Sequence, residues 1–403
     1  MQKKRVSTLA AALLLAATAV PSAHAFDVGG ANGWKFSTDG FLNVFATYES
    51  AQGRPAGVID GELGIGGSGD HERNFRVRTG LLPVGIGFNI NAPTTNGVDY
   101  AIRLGIYPQI QNEGTGRTDL SPNIDFREIN MTATGAFGQV LAGRAINLYQ
   151  AKNILTDMTL FSVGVVGPVP NGPTMGHIGY GYLYPNFDAQ IRYTTPDMAG
   201  LKFAIAVGDP HSVGAATITD VPRVEAELSY ATTFPAGKVQ AWVSGLYNEA
   251  KFGADTVLSG VDRSGKRARS IGGAGGVEVG MGPLDLLAST YGGKGLGMLG
   301  ISDFGALDAT GKERQNFGFL GQATFMVTPV VKLGANYGQS RAYKTVNDSD
   351  LNIMKQQSAT ASVTYNVAKF VQLIAEYTWA QDRWYNGETQ NANIGALGTF
   401  IYW

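Results

Sequence analysis

Several segments of this chain alternate apolar and polar residues with a period of two. The clearest is 358–367, in which Ser, Thr and Asn residues alternate with Ala359, Ala361, Val363, Tyr365 and Val367. Successive side chains of a β-strand point to opposite faces, so this pattern predicts strands with one apolar and one polar face. The same period recurs over 223–230, 316–327 and 370–379.

Composition supports an all-β fold. The 55 glycines among 403 residues disfavour long helices, in which each glycine costs about 1 kcal/mol relative to alanine. The absence of cysteine excludes a disulfide scaffold and a cysteine-ligated metal site. Beyond residue 25, no apolar run approaches the 18 residues typical of a membrane-spanning helix. The rest of the chain is therefore expected to be either a secreted soluble protein or a transmembrane β-barrel.

Residues 1–25 have the pattern of an export signal. A basic stretch at Lys3, Lys4 and Arg5 precedes an apolar stretch over 8–20, and Ala23 and Ala25 form a small-x-small cleavage pattern. The sequence predicts cleavage after Ala25 and a barrel domain over 26–403.

The connections between predicted strands are of two alternating kinds. Seven are short and turn-like, at 92–97, 135–138, 196–200, 235–237, 281–283, 328–329 and 366–369. Eight are longer and polar, at about 49–73, 108–123, 146–188, 209–223, 250–270, 294–315, 342–355 and 382–391. Fifteen alternating connections predict sixteen antiparallel strands whose two ends lie on the short-turn side.

The chain resembles the Gram-negative general porins, which are sixteen-stranded trimeric barrels of the outer membrane. The resemblance rests on the export signal, on the turn at 135–138 with the strand that follows it to Arg144, and on the strand, Pro-containing turn and strand over 192–201. It also rests on the C-terminal Trp403. The family usually has Phe at this position, and the barrel-assembly machinery recognises that aromatic residue. The resemblance implies short periplasmic turns, long extracellular loops and a third loop that folds into the barrel.

The third long connection, 146–188, is the first candidate for a functional segment, because loops beyond about 15 residues are uncommon unless they are functional. We expect it to enter the lumen and form the narrowest point of a pore, with Lys152 and Asp157 as its charged members. An extracellular flap is the alternative.

Charged side chains on the polar faces are the second candidate. Arg76 and Arg78 alternate with Phe75 and Val77, and Arg103 lies between Ile102 and Leu104, so all three arginines are predicted to face the lumen. A lipid-facing arginine at mid-membrane costs about 2–4 kcal/mol, which favours the same assignment. Arg144 resembles the constriction arginine of the porin family, whereas the face of Arg127 stays open.

The predicted function is a water-filled outer-membrane channel for passive diffusion of small hydrophilic solutes and ions, and not an enzyme. The alternatives are a substrate-selective channel, a surface adhesin and a barrel-borne enzyme. The resemblance further implies a homotrimer that contacts outer-membrane lipid, lipopolysaccharide and the barrel-assembly machinery. No cofactor or nucleic-acid partner is expected. A metal site is not expected either, since His71, His177 and His211 lack the spacing of metal ligands.

Overall fold

The fold is described by a computed structural model that covers residues 26–63, 71–112, 124–167 and 172–403. The predicted export signal, 1–25, lies outside the described residues. None of the helices in these ranges is long and apolar enough to cross a membrane.

Nearly all regular structure is β-strand. The strands are β1 (Phe26–Gly29), β2 (Lys35–Ala51), β3 (Glu72–Arg78), β4 (Gly85–Asn91), β5 (Asp99–Pro108), β6 (Ile124–Gly135), β7 (Gly138–Ile146), β8 (Phe187–Thr194), β9 (Leu201–Gly208), β10 (Arg223–Phe234), β11 (Gly237–Lys251), β12 (Val257–Leu258), β13 (Val261–Asp262), β14 (Arg267–Met281), β15 (Leu284–Lys294), β16 (Gln315–Thr328), β17 (Val331–Ala342), β18 (Ile353–Ala368), β19 (Val371–Trp384) and β20 (Thr389–Tyr402). One short helix, α1 (Ala151–Leu155), and a 3-10 turn, Met158–Phe161, lie between β7 and β8.

Antiparallel pairing closes the sheet on itself. From β4 to β11 and from β14 to β20 each strand pairs with the next, and β11 pairs with β14. Strands β3 and β4 together form one wall segment beside β2, and β2 also pairs with β20. The hairpin of β12 and β13 stands apart, and β1 pairs only with β2, so the closed wall has sixteen strands. At the closure, the Trp403 amide donates to the Gly40 carbonyl at 3.0 Å and the Gly40 amide donates back at 3.2 Å. The predicted all-β, sixteen-stranded antiparallel barrel is confirmed.

Short turns lie at one end of the barrel and longer connections at the other, as the sequence predicts. The last connection is the exception. The sequence predicts a polar stretch over about 382–391, but β19 and β20 continue into it and leave only residues 385–388 between them. The two strands remain paired as far as Arg383 and Thr389. This part of their ladder extends beyond the apolar band, so its side chains are polar.

The two faces of the wall are arranged opposite to those of a soluble sandwich. On β18 and β19, the apolar side chains of Val363, Tyr365 and Leu373 face outward and are 44%, 46% and 45% exposed. Their polar neighbours, including Thr360 and Thr378, face inward and are buried. An apolar outer surface around a polar interior is typical of a barrel surrounded by lipid.

Candidate functional site

The third long connection, residues 147–186, folds into the barrel. We call it loop 3. Its described part carries buried apolar side chains, which are Leu148, Tyr149, Ala151, Ile154, Leu160, Val163, Val165, Val166, Met175, Ile178, Tyr180, Tyr182 and Leu183. Several of them pack with inward side chains of the wall, such as Phe45, Leu320 and Phe400. The prediction of an inward-folded third loop is confirmed.

Loop 3 crosses the interior and is hydrogen-bonded to the far wall. Glu376 of β19 accepts a hydrogen bond from the Gly164 amide at 2.6 Å and a short one from the Ser162 hydroxyl. The Tyr180 hydroxyl donates to Asp382 at 2.8 Å. On β16, Gln322 accepts from the Met158 amide at 2.6 Å. Two barrel strands, β16 and β19, therefore hold one side of the loop through polar inward side chains.

The near wall holds the loop through backbone groups. The Leu81 amide donates to the Ser162 carbonyl at 2.8 Å, and the Thr174 amide donates to the Gly80 carbonyl at 3.0 Å. Residues 79–84 interrupt the wall between β3 and β4, which leaves their backbone groups free to bond with loop 3. Because both walls are engaged, loop 3 narrows the interior.

An ion-paired cluster fixes the start of loop 3. Glu225 of β10 accepts hydrogen bonds from the Leu148 and Tyr149 amides at 2.7 and 3.0 Å. Arg223 on the same strand donates to Asp188 at 2.7 Å. The alternation over 223–230 predicts that these side chains lie on a polar face, and in the structure this face anchors loop 3.

Asp157 lies inside loop 3 and not at its surface. Its carboxylate accepts hydrogen bonds from the Thr159 amide at 2.9 Å, the Thr159 hydroxyl at 2.6 Å and the Tyr182 hydroxyl at 2.7 Å. Burial raises the pKa of Asp157, but His177 and the bonds from Thr159 outweigh burial, so the net pKa lies below its usual value. The side chain has no exposed surface. We therefore correct the expectation that Asp157 faces a pore, since it organises the loop from within.

Lys152, the other predicted charge of loop 3, keeps 25% of its side chain exposed. Its ammonium nitrogen lies 3.8 Å from a carboxylate oxygen of Glu227 on β10. Lys152 thus projects from α1 towards the wall and pairs with a charge there.

Arg76 and Arg78 point inward, on the face opposite the exposed Phe75 and Val77. Their surroundings differ. Arg78 is 1% exposed and donates to the Gly172 carbonyl of loop 3 at 2.5 Å, whereas Arg76 is half-buried and donates to the Asn112 carbonyl at 2.5 Å. Among the described residues, no carboxylate lies within ion-pairing distance of Arg76. Arg76 is a solvent-accessible charge, and Arg78 is a contact of loop 3.

Arg103 belongs to a charge network on the same wall. It pairs with Asp39 at 2.9 Å and with Glu128 at 2.8 Å, and it donates to Asn89 at 2.9 Å. The side chains of Arg103 and Asp39 remain 23% and 28% exposed. Arg103 therefore faces the interior as part of a neutralised cluster, and not as an isolated cation.

The face of Arg127, which the sequence leaves open, is set by a β-bulge. Gly105 pairs with Glu128 and Tyr107 with Asp125, so two residues of β6 oppose one residue of β5. The Arg127 guanidinium lies 5.7 Å from the ring centre of the buried Tyr107. Sequence reasoning misses this inward arginine because a bulge interrupts the period of two.

Arg144 lies on the outer face. It pairs with Ile129, which is 50% exposed on the lipid side, while the neighbouring Gly143 pairs with the buried inward Gln190. Arg144 is itself exposed and donates to the Phe187 carbonyl at 2.5 Å. The expectation that Arg144 contributes to the pore wall is wrong, because the resemblance on which it rested does not fix the register of β7.

Two further arrangements bear on the alternative functions. Within the described ranges, no group of three or more His, Asp or Glu side chains is placed to hold a metal ion. At the extracellular rim, the Ser50 hydroxyl lies 2.5 Å from Nε2 of His71. Among the described residues, no carboxylate is hydrogen-bonded to the His71 ring.

Carboxylates gather at the extracellular mouth, next to the first long connection. The Glu62 and Leu63 amides donate to Asp382 at 2.7 and 3.1 Å. Burial, followed by repulsion from Asp382, Asp303 and Asp60, raises the pKa of Glu62 to about 8. The folded mouth therefore favours the protonated form of Glu62.

This raised pKa predicts that the first long connection loosens as pH rises. The contribution of Glu62 to the stability of the folded connection is fully present below its unfolded pKa of about 4.3. It is lost as pH rises through about 8. In Glu62→Gln the side chain is permanently neutral. We expect proteinase K to cleave this connection faster in the wild type than in the variant at pH 9, and at nearly equal rates at pH 5. Equal rates at both pH values would contradict the prediction.

The comparisons with known proteins agree with this architecture. A sequence profile described as Gram-negative porin matches residues 10–383. No curated protein sequence matches the chain.

Solved structures with similar folds include an outer-membrane channel and a porin. The outer-membrane channel DcaP of Acinetobacter baumannii superposes with a TM-score of 0.65 at 15% identity, covering 94% of this chain and 99% of that one. An anion-selective porin from Comamonas acidovorans gives 0.61 at 14% identity, covering 92% and 100%. OmpF of Salmonella typhi, in complex with daunomycin, gives 0.54 at 15% identity, covering 92% and 98%. At these identities the likeness shows the fold.

Proposed function

Because this chain belongs to the Gram-negative porin family and forms an integral barrel of the outer membrane, we propose that it conducts small hydrophilic solutes and ions by passive diffusion. The observation that carries the proposal is solvent exposure inside the barrel. Arg103 and Asp39 on one wall, and Lys238 and Asp285 on the opposite wall, each keep roughly a quarter of the side chain exposed while pointing inward. Solvent that reaches inward charges on two walls supports a continuous aqueous path.

A broad solute range is supported by the chemistry of the interior. The inward side chains of β18 over 356–366 are all Ser, Thr, Asn or Gln, which bind no single solute class. Most inward cations are ion-paired, as in the contacts of Arg103 with Asp39 and of Lys238 with Asp285. Paired charges largely cancel at a distance, so we propose mild ion selectivity.

We propose that the passage is bounded by loop 3 and by the wall that carries Arg76 and Arg103. Lys152 adds a partly exposed charge on the loop side. Arg78 acts indirectly, because its guanidinium holds loop 3 and has almost no exposed surface.

We propose a homotrimer, in line with the structure of OmpT of Vibrio cholerae in its trimer form, which shares the fold with a TM-score of 0.54 at 13% identity. We also propose that residues 1–25 are an export signal and that the barrel-assembly machinery recognises Trp403. No catalytic step is proposed, since Ser50 and His71 lack an orienting acid among the described residues.

The test is single-channel recording of the purified protein in a planar bilayer, with reversal potentials in a KCl gradient. In Arg76→Gln we expect selectivity to shift towards cations by about twofold in permeability ratio, because a solvent-accessible inward cation is lost. In Arg78→Gln we expect conductance to change more than selectivity, because loop 3 loses a contact. Arg267→Gln is the matched control, since that arginine lies on the outer face.

Three results would count against the proposal. Folded, inserted protein that shows no conductance steps would remove the channel function. A conductance that saturates with one solute class would favour a substrate-selective channel. If Arg76→Gln and Arg267→Gln behave alike, the channel stands and the assignment of Arg76 falls.

A further inference from the structure

A single buried carboxylate joins the extracellular mouth of the barrel to loop 3. Asp382 lies near the extracellular end of β19 and has no exposed surface. One of its oxygens accepts hydrogen bonds from the Glu62 and Leu63 amides, and the other accepts a hydrogen bond from the Tyr180 hydroxyl at 2.8 Å. The two amides belong to the first long connection, whereas Tyr180 belongs to loop 3. Asp382 is therefore shared between two segments that are far apart in the sequence.

The first long connection is held at defined points of the mouth. We call its described part, residues 52–63, loop 1. The Ile59 amide donates to the Leu351 carbonyl at 2.8 Å, and the Trp384 indole donates to the Ile59 carbonyl at 3.0 Å. The side chain of Leu63, at the end of loop 1, is buried. Loop 1 is thus a fixed element of the mouth, and its last two residues lie on Asp382.

A glycine allows loop 1 to approach Asp382 this closely. Gly61 has a φ of +111°, and a Cβ atom there would lie 2.8 Å from the Trp384 ring and 3.0 Å from an Asp382 oxygen. A side chain at this position would therefore be strained and would push loop 1 away from the carboxylate. The close approach places the next two amides within hydrogen-bonding distance of Asp382.

On the other side of the carboxylate, Tyr180 is part of a tightly bonded segment of loop 3. Its side chain is fully buried, and its amide donates to the His177 carbonyl at 2.9 Å. The neighbouring Gly181 amide donates to the Ser340 hydroxyl oxygen on β17 at 3.1 Å. Because its backbone is bonded on both sides, Tyr180 cannot leave Asp382 without disturbing this segment.

The two sets of contacts to Asp382 support each other. A buried carboxylate is stable only when donors satisfy its oxygens. Loss of the loop 1 amides would leave one oxygen without a donor in a buried place, and the carboxylate would have to move towards water. The hydrogen bond to Tyr180 would then weaken. By linkage, each segment favours the bound position of the other to the same extent.

We infer that Asp382 couples loop 1 to loop 3, so that displacement of loop 1 at the extracellular mouth alters the width of the passage. The inference rests on the proposed channel function, because loop 3 bounds the proposed passage. A contact that lifts loop 1 removes two donors from Asp382 and releases loop 3 at Tyr180. The first long connection is thereby a regulatory element as well as part of the rim.

The test cuts loop 1 after the protein has folded. A thrombin site is inserted after Gly57, where a Cβ atom would have nothing within 4 Å. The matched control carries the same insertion after Gly260, where a Cβ atom likewise has nothing within 4 Å. Gly260 lies in the hairpin of β12 and β13, which is not part of the barrel wall. Both insertions are also made in Tyr180→Phe, which keeps the ring and removes only the hydroxyl that donates to Asp382.

Two quantities are measured before and after cleavage, which are single-channel conductance and hydrogen exchange of the peptide that contains Tyr180. After the cut in loop 1, we expect conductance to change by about 1.5-fold or more and exchange to accelerate by about tenfold. The cut in the control hairpin should change neither quantity. In Tyr180→Phe the cut in loop 1 should also change neither, because the link to loop 3 is already absent.

Two results would overturn the inference. The first is a cut in loop 1 that leaves either the exchange rate or the conductance of a conducting protein unchanged. The second is an equal response in the wild type and in Tyr180→Phe, which would show that loop 1 acts on the passage directly and not through Asp382. Exchange is measured in detergent and needs no conductance. If no conductance steps appear, the proposed channel function fails, while the exchange data still decide whether loop 1 and loop 3 are coupled.

Discussion

Valine at position 338 is expected to push loop 3 off the barrel wall. Gly338 faces inward on β17, and a Cβ atom there would lie 2.1 Å from the Tyr180 carbonyl oxygen and 3.2 Å from the Gly181 Cα. Both neighbours are backbone atoms, so no change of rotamer relieves the overlap. The wall ladder of β17 is made by backbone groups that the substitution leaves in place. Loop 3 must therefore move, while the barrel is retained.

Position 80 supplies the same test on the opposite wall. A Cβ atom on Gly80 would lie 2.0 Å from the Ser162 carbonyl oxygen. We expect Gly338→Val and Gly80→Val each to change single-channel conductance by about twofold or more and to add current noise, because the segment that narrows the interior loses a fixed position. Each variant should also become sensitive to proteolysis within loop 3.

Gly321→Val is the matched control for both substitutions. Gly321 lies on the outward face of β16, and a Cβ atom there has nothing within 4 Å. We expect the control to insert and conduct like the wild type. If Gly338→Val kept wild-type conductance and protease resistance, loop 3 would not be the element that sets the passage.

The strand number and the faces of most strands follow from the sequence because both depend on local rules. Period-two alternation fixes which side chains face lipid, as in 358–367, and turn chemistry fixes where strands end. Arg76 and Arg103 could be placed in the interior for this reason. The local rules also explain why the last connection is too long in the prediction, since polar residues in a strand beyond the apolar band resemble a loop.

The parts of the site that could not be predicted depend on register and on tertiary contacts. The β-bulge at Phe126 and Arg127 shifts the alternation of β6, and no residue type in that stretch marks it. In β7, Val140 and Leu141 are adjacent and both apolar, so the face of Arg144 cannot be read from alternation. Asp157 resembles any loop carboxylate until the fold brings Tyr182 against it.

Removal of the Asp157 carboxylate is expected to destabilise the folded conformation of loop 3. In Asp157→Ala, the Thr159 amide, the Thr159 hydroxyl and the Tyr182 hydroxyl lose their acceptor in a buried place. Each buried unsatisfied group costs about 1–3 kcal/mol, and we expect a total loss of about 3–5 kcal/mol in the local stability of the loop. Hydrogen exchange of the peptide that contains Thr159 should accelerate by two orders of magnitude or more. Asp209→Ala, which removes an exposed carboxylate from another long connection, should leave that peptide unchanged.

Asp157→Asn separates charge from shape and gives a signature in pH. The pKa of Asp157 in the folded protein lies below its usual value of about 3.9. The contribution of its charge to the stability of loop 3 is therefore complete above about pH 3.9, and it is lost as pH falls through the lower folded pKa. The ratio of exchange rates between variant and wild type, taken at the same pH to cancel the intrinsic rate, should be large at pH 7 and shrink below about pH 4. A ratio that does not change with pH would show that Asp157 holds loop 3 by shape alone, so that its negative charge contributes nothing to the position of the loop.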